Sequence, residues 1–250
     1  MKKILRLIRK IIGYYKVENK LNSIINLFDN VNKKQNELLK AEIFNSTIKN
    51  SEWYTYKSIS PGDSAVDYTF LYTLYRVLND IKPGNILEFG LGQSSKLVHQ
   101  FSNYYKLRAT TVEHDSEWYN FFLNHISHKF DVNVEFLDLE NITYKKCKTL
   151  TYRFNNDKLL TQKYDLIIVD GPFGSERFSR SQIFKFIPNS INENFCIIID
   201  DCDRKGELET LSEVTSMLNE NNIKFESRIY SGSKDHALIC SQNLKFLTTL

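Results

Sequence analysis

Six acidic residues lie in or at the ends of five apolar runs. Ile86–Gly92 reads ILEFGLG, with Glu88 inside the run. Ala109–Glu113 ends in Glu113, Val132–Leu137 is followed by Asp138, Tyr164–Asp170 (YDLIIVD) ends in Asp170, and Phe195–Asp201 (FCIIIDD) ends in Asp200 and Asp201. The last two runs are continuously apolar, as strands of a parallel sheet are when both faces are covered. In open sheets of that kind, ligands bind beyond the carboxyl ends of the strands. The acids are therefore expected at one site. There a carboxylate can hold a cation, accept the hydroxyls of a sugar, or take a proton.

The loop after the first run sharpens this. Gly90 and Gly92 allow a tight turn and close approach of backbone to a ligand. A dinucleotide-binding fingerprint would need a third glycine where Ser95 stands. Glu88 is ill suited to lie beside a pyrophosphate and well suited to hold an ammonium group such as that of a methionine moiety. This charge logic favours S-adenosylmethionine (SAM) over NAD. Glu113 follows Gly92 by twenty-one residues, where a carboxylate can accept both hydroxyls of a ribose whichever nucleoside is bound. Asp138 is expected either at the adenine or as a plain solvated acid. His114, next to Glu113, has the same two readings.

These residues need a scaffold. Helical patterns over Val66–Leu78, Ser94–Phe101, Ser116–Ile126 and Glu207–Asn219 alternate with the runs above. Asp63-Ser64 offers an N-cap for the first of them. Lys224–Tyr230 and His236–Ser241 flank a Ser-Gly-Ser-Lys-Asp link and read as an antiparallel hairpin. The expected fold is α/β: a Rossmann-like, doubly wound, seven-stranded sheet ending in that hairpin. Residues 51–250 form this domain, and residues 1–50 form a basic helical arm. Residues 1–44 contain no Pro and one Gly and read as helix. One heptad register sets Leu7, Tyr14, Leu21 and Phe28 against Val17, Ile24, Val31 and Leu38. The arm is expected to pack on its own domain, to pair with a second copy, or to dock on a membrane surface.

LEFGLGQSS, VEHDSEWY, YDLIIVDGPFG and IIIDDCDRKGE together resemble class I SAM-dependent methyltransferases. More narrowly they are similar to a bacterial group associated with polysaccharide or glycan biosynthesis, and remotely to plant glucuronoxylan 4-O-methyltransferases. The resemblance covers about residues 55–245 and leaves the arm outside. It implies a SAM loop of Glu88, Gly90, Gly92 and Ser94, ribose binding by Glu113, and Asp170 facing the methyl group. Asp170 with Asp200 and Asp201 resembles the acidic set that holds a divalent cation in catechol-type O-methyltransferases. Hard oxygen ligands suit Mg²⁺ or Mn²⁺, and such an ion would lower the pKa of a sugar hydroxyl. Without metal a general base is needed; Asp170 is the first candidate and His236 the second. Arg177, Arg180 and Arg204 lie on the expected ligand face and could bind an acidic acceptor, or pair with neighbouring acids.

The implied reaction is O-methylation of a sugar hydroxyl in a surface polysaccharide or its precursor. The competing reading is a non-catalytic SAM-binding or scaffold protein of a glycan-assembly complex. A nucleic-acid partner is not expected. The arm carries a charge of +7, but the remaining 200 residues carry −4. Asp170-Gly171-Pro172-Phe173 also lacks the aromatic tetrapeptide form of base methylation. Cys147, Cys196, Cys202 and Cys240 show no metal-finger spacing, which favours a reducing compartment, the cytoplasm, with membrane contact at its inner face. Arg6, Arg9 and Lys10 break the apolar run that a signal peptide would need.

Overall fold

Alternate residues of each central strand feed different packing layers, which is why the runs are continuously apolar. The computed structural model describes the chain except Met1, Ile12, Asp63, Ser64, Ser127 and His128, and except the side chain of Ile11. The first layer is built on α3 (Tyr68–Ile81) and α4 (Gln93–Tyr105), which receive Ile86, Leu166, Ile168, Ile198 and Leu238. The opposite layer receives Leu87, Phe89, Ile167, Val169, Ile197 and Ile199 against Val214 and Leu218 of α6 (Lys205–Glu220).

The strands are β1 (Asn85–Phe89), β2 (Arg108–Glu113), β3 (Val134–Phe136), β4 (Leu139–Tyr144), β5 (Cys147–Tyr152), β6 (Tyr164–Val169), β7 (Ile191–Ile199), β8 (Phe225–Ser231) and β9 (Asp235–Ser241). Seven of them form one sheet in the order β3-β2-β1-β6-β7-β9-β8. The first five are parallel, and β9 runs antiparallel to both β7 and β8. The order reverses between β1 and β6, so the switch point lies between the glycine loop and Asp170. α5 (Ser116–Ile126) follows β2 and packs Phe122 and Ile126 against Leu91. The expected doubly wound sheet with its final hairpin is the fold found.

Three local expectations change. The helix expected from Val66 starts at Tyr68, and its cap is Asp67, whose Oδ1 accepts a hydrogen bond from Phe70 N at 2.8 Å. The expected caps Asp63 and Ser64 lie outside the described residues. The arm is two helices, α1 (Lys2–Ile11) and α2 (Tyr14–Thr47), separated at Gly13, which adopts a left-handed φ of 67°. α2 runs past residue 44, the expected end of the helical pattern, to Thr47. Phe44 and Ile48, four apart on one helical face, are buried in the core, and Glu37 Oε1 accepts a hydrogen bond from Tyr68 N at 2.7 Å. The end of the arm is thus part of the packed body.

The third change is the β4–β5 hairpin, a separate two-stranded sheet. Its turn is Lys145-Lys146, both with positive φ. Such turns favour Asn-Gly or Asp-Gly, so the sequence gives no signal for it.

Candidate functional site

Glu88 lies opposite Thr111 in the β1–β2 register, on the face that α4 covers. Its carboxylate accepts hydrogen bonds from Ser94 Oγ at 2.7 Å and Thr111 Oγ1 at 2.8 Å, and the side chain is fully buried. It is therefore an internal strut tying the first turn of α4 to β2, rather than an open cradle for an ammonium group. Ser94, expected to touch the cofactor, is buried as well and spends its hydroxyl on Glu88.

Burial pushes the Glu88 pKa up to about 7 from an ordinary 4.5, against the opposing pull of the Ser94, Ser95 and Thr111 hydrogen bonds. The sign of its effect on stability follows. The folded protein holds this proton more tightly than the unfolded chain does. The ionisation penalty of burying Glu88 is therefore absent below about pH 4.5 and grows as pH rises to about 7. The full effect is on the order of 3 kcal/mol. Glu88→Gln should leave Tm near wild type at about pH 5 and raise it at about pH 8. Thermal melts of both proteins across that range check this, and a constant difference in Tm would refute it.

Glu113 remains ionised for a visible reason. Burial alone would raise its pKa, but His114 beside it and the backbone N–H groups of Asp115, Leu91 and His114 outweigh burial and hold it low. Leu91 N donates to Oε2 at 2.9 Å, while His114 N and Asp115 N donate to Oε1 at 2.6 and 2.8 Å. A carboxylate has about four acceptor sites. Three are filled, so one remains for a ligand hydroxyl unless the carboxylate turns. The expected capture of both ribose hydroxyls needs that turn.

The loop that Glu113 anchors is pinned from both sides. Trp118 of α5 donates its indole N–H to Leu91 O at 2.6 Å. Gly90, with φ 97°, lies so near β6 that a Cβ there would meet Asp170 C at 3.0 Å and Gly171 N at 3.1 Å. Gly92 differs: a Cβ there would meet nothing within 4 Å, so its backbone borders open space. Polar atoms without partners collect nearby. His114 Nδ1 lies 3.0 Å from Glu113 Oε1 but is poorly aligned, so neither ring nitrogen has a hydrogen-bond partner among the described residues. The buried Tyr152 hydroxyl also has none. Buried polar atoms are normally paired, and ligand sites are a common exception.

Across the switch point, oxygens of Asp170, Asp200 and Asp201 lie within 4.8 Å of one another. Burial, then repulsion from Asp170 and Asp201, pushes Asp200 well above the usual carboxylate range. Burial also raises Asp170, despite the nearby Arg180 guanidinium. For Asp201 burial is outweighed by Arg180, Lys234 and Arg204, which hold it low. Of the three, Asp200 is therefore the last to give up its proton as pH rises, and Asp201 the first. Asp201 itself is held in a left-handed conformation with φ 59° at the end of β7.

The distance condition for a shared Mg²⁺ or Mn²⁺ is met, but the charge condition is not. Asp201 Oδ2 pairs with Arg180 and with Arg204 Nη1 at 3.1 Å. Lys234 Nζ lies 3.4 Å from Asp201 Oδ1 and 3.9 Å from Asp200 Oδ2. Those two oxygens have no hydrogen-bond partner among the described residues, and the Lys234 ammonium is the cation that faces them. The arrangement does not fit a divalent ion unless Lys234 withdraws.

The arginines separate. Arg180 is corrected from substrate ligand to internal anchor: it is 3 % exposed and donates to Val169 O at 3.1 Å, to Asp200 O at 2.9 Å and to Asp201. Arg177 is engaged by Glu209 at 2.5 and 2.7 Å. Arg204 remains half exposed at the rim. His236 is corrected as a candidate base. It is fully buried, its Nε2 is 3.0 Å from Thr73 Oγ1, and burial lowers its pKa to about 4. Asp138 is exposed after β3.

Sequence reasoning missed Tyr152 and Lys234. Tyr152 comes from the unforeseen hairpin. Lys234 was visible in principle: β9 runs antiparallel to β7, so the turn before β9 must land on the carboxyl end of β7.

A hollow of about 580 Å³ lies at the opposite end of the sheet, lined by Asn103, Arg108, Asn133 and Lys158 around the start of β2. The perturbed acids and partnerless polar atoms collect instead at the carboxyl ends.

No family model matches the sequence, and no curated protein matches it. Solved structures do. A methyltransferase from Podospora anserina, PaMTH1, solved with SAH bound, superposes with a TM-score of 0.52 at 15% identity, covering 83% of this chain and 97% of that one. A methyltransferase from Pyrococcus furiosus gives a TM-score of 0.46 at 14% identity, covering 83% and 98%. The seven-stranded sheet, its helices and its final antiparallel hairpin are those of the Rossmann-like methyltransferase fold.

Proposed function

We propose that the chain is a SAM-dependent methyltransferase that acts on a sugar hydroxyl of a surface glycan or its precursor. One observation carries the reading: ionised Glu113, the open face of Gly92 and the partnerless His114 and Tyr152 lie together at the switch point, beside Asp170. A nucleoside meets such a set well. Glu113 would accept a ribose hydroxyl, His114 would approach the base, and the Gly92 backbone would admit close contact. Asp138 remains available at the end of β3 for the far edge of the adenine. The bound donor would supply an electrophilic methyl group on a sulfonium centre.

A sugar hydroxyl is a poor nucleophile near neutral pH, so a base is required. Asp170 suits that role. Its side chain retains 17% exposure while Asp200 and Asp201 are nearly closed off. Its raised pKa makes it a stronger base than an ordinary aspartate. Arg180 and Lys234 would stabilise the carboxylate ready to take the hydroxyl proton. No step is assigned to a metal, because Lys234 already balances the cluster. Arg204 at the rim would meet a carboxylate or phosphate on the acceptor. The glycan assignment rests on the sequence resemblance together with that arginine, and a cytoplasmic location accompanies it.

Titration calorimetry tests the core of this reading. Binding of S-adenosylhomocysteine, unchanged by EDTA and with none for NAD, is expected. NAD binding without S-adenosylhomocysteine binding would overturn it.

A further inference from the structure

α1 has nothing packed on its apolar face among the described residues, and its charge pattern identifies what would cover it. Ile4, Leu7 and Ile8 follow helical i, i+3, i+4 spacing and are 51–65% exposed. Lys2, Lys3, Arg6, Arg9 and Lys10 occupy the other side of the same ten-residue helix. No Asp or Glu precedes Glu18. Gly13 ends this helix in a left-handed turn, so α1 is a unit separate from α2. Beyond the turn, Tyr14 and Tyr15 are exposed, and the Arg9 guanidinium lies 5.2 Å from the Tyr14 ring centre.

We infer that α1 is an in-plane anchor for an anionic lipid surface. Its apolar stripe would enter the boundary between headgroups and acyl chains, its cations would meet lipid phosphates, and the tyrosines would sit at headgroup depth. The helix does not cross the bilayer: no helix among the described residues is long and apolar enough to do so. A second copy is the weaker occupant. Pairing two α1 stripes brings ten cations together with no acid on either helix to neutralise them. A bilayer containing anionic lipid supplies the missing charge. Each cation near such a surface contributes about 1 kcal/mol, a factor of about five in binding.

The full-length protein would be floated with vesicles of phosphatidylcholine containing about one-third phosphatidylglycerol, and with phosphatidylcholine alone. At least about tenfold stronger partitioning to the anionic vesicles is expected, lost when salt shortens the Debye length to about 3 Å. The double variant Arg6→Glu, Arg9→Glu should weaken partitioning at least about tenfold, and Leu7→Ser, Ile8→Ser by a similar factor. Because these side chains are exposed, S-adenosylhomocysteine binding and Tm should not change in either variant. Failure of the wild type to bind, equal binding to neutral vesicles, or wild-type binding by both variants would overturn the inference. So would a dimer, by light scattering, that dissociates in Leu7→Ser, Ile8→Ser, which would give the stripe to a second copy.

Discussion

Replacing Glu113 with Ala is expected to weaken S-adenosylhomocysteine binding about one hundredfold and to lower Tm. Two effects combine. The ligand loses a hydrogen bond to a charged acceptor, which contributes about 1.5–3 kcal/mol. The loop loses its anchor, because Leu91, His114 and Asp115 all direct backbone N–H groups at this carboxylate. A ligand variant separates the two. Wild-type protein should bind the 2′-deoxyribose analogue more weakly than S-adenosylhomocysteine, whereas Glu113→Ala should hardly distinguish them. Calorimetry well below the Tm of the variant measures all four affinities. If both proteins discriminate equally between the ligands, Glu113 is only a loop anchor and the ribose assignment fails.

The same residue shows where sequence reading succeeds and where it stops. A strand-end acid after a glycine loop can be located from pattern alone, since apolar runs and strand ends are local features. Its environment cannot, because the three backbone donors on Glu113 come from two separate loops. Glu88 makes the point more strongly. Position and residue type suggested an ammonium cradle, but register with Thr111 and the first turn of α4 close both oxygens inside the protein. For Arg180 the sequence left open an acidic acceptor or a neighbouring acid. A left-handed backbone at Arg180 and another at Asp201 turn the two side chains toward each other. The β4–β5 hairpin was missed because its Lys-Lys turn carries no turn chemistry, and Tyr152 was lost with it. The seven strands and the final hairpin were legible because apolar runs alternating with helical patterns are local features.

The charge arrangement around Asp170 has a consequence for mechanism. Three acids crowded within 4.8 Å would repel one another if all were ionised. The protein avoids this in two ways. Burial and repulsion raise Asp200 furthest, so it holds a proton most readily, and Arg180, Lys234 and Arg204 offset the charge on Asp201. Asp201 is more heavily paired than Asp170. Asp170 contacts Arg180 only at 3.5 Å and keeps an exposed edge. Of the two, it is the one free to receive a proton from outside.

Asp170→Asn should therefore reduce methyl transfer by about 10²–10⁴-fold, the usual contribution of a positioned general base. Affinity for S-adenosylhomocysteine should stay within about threefold, since Glu113 and the glycine loop are untouched. The substitution preserves shape, and Arg180 keeps Asp201 and the Val169 and Asp200 carbonyls, so the fold should be kept. The pH profile adds a signature that a structural role would not give. Wild-type turnover should rise with pH as Asp170 loses its proton, and burial should place that rise above the ordinary aspartate range. The variant should lose the rise and show flat residual activity. Transfer of labelled methyl from SAM to a panel of sugar acceptors, followed across pH for whichever acceptor the wild type uses, measures both. Full activity in Asp170→Asn would remove the base from the mechanism, because the neighbouring Asp200 and Asp201 are nearly closed off.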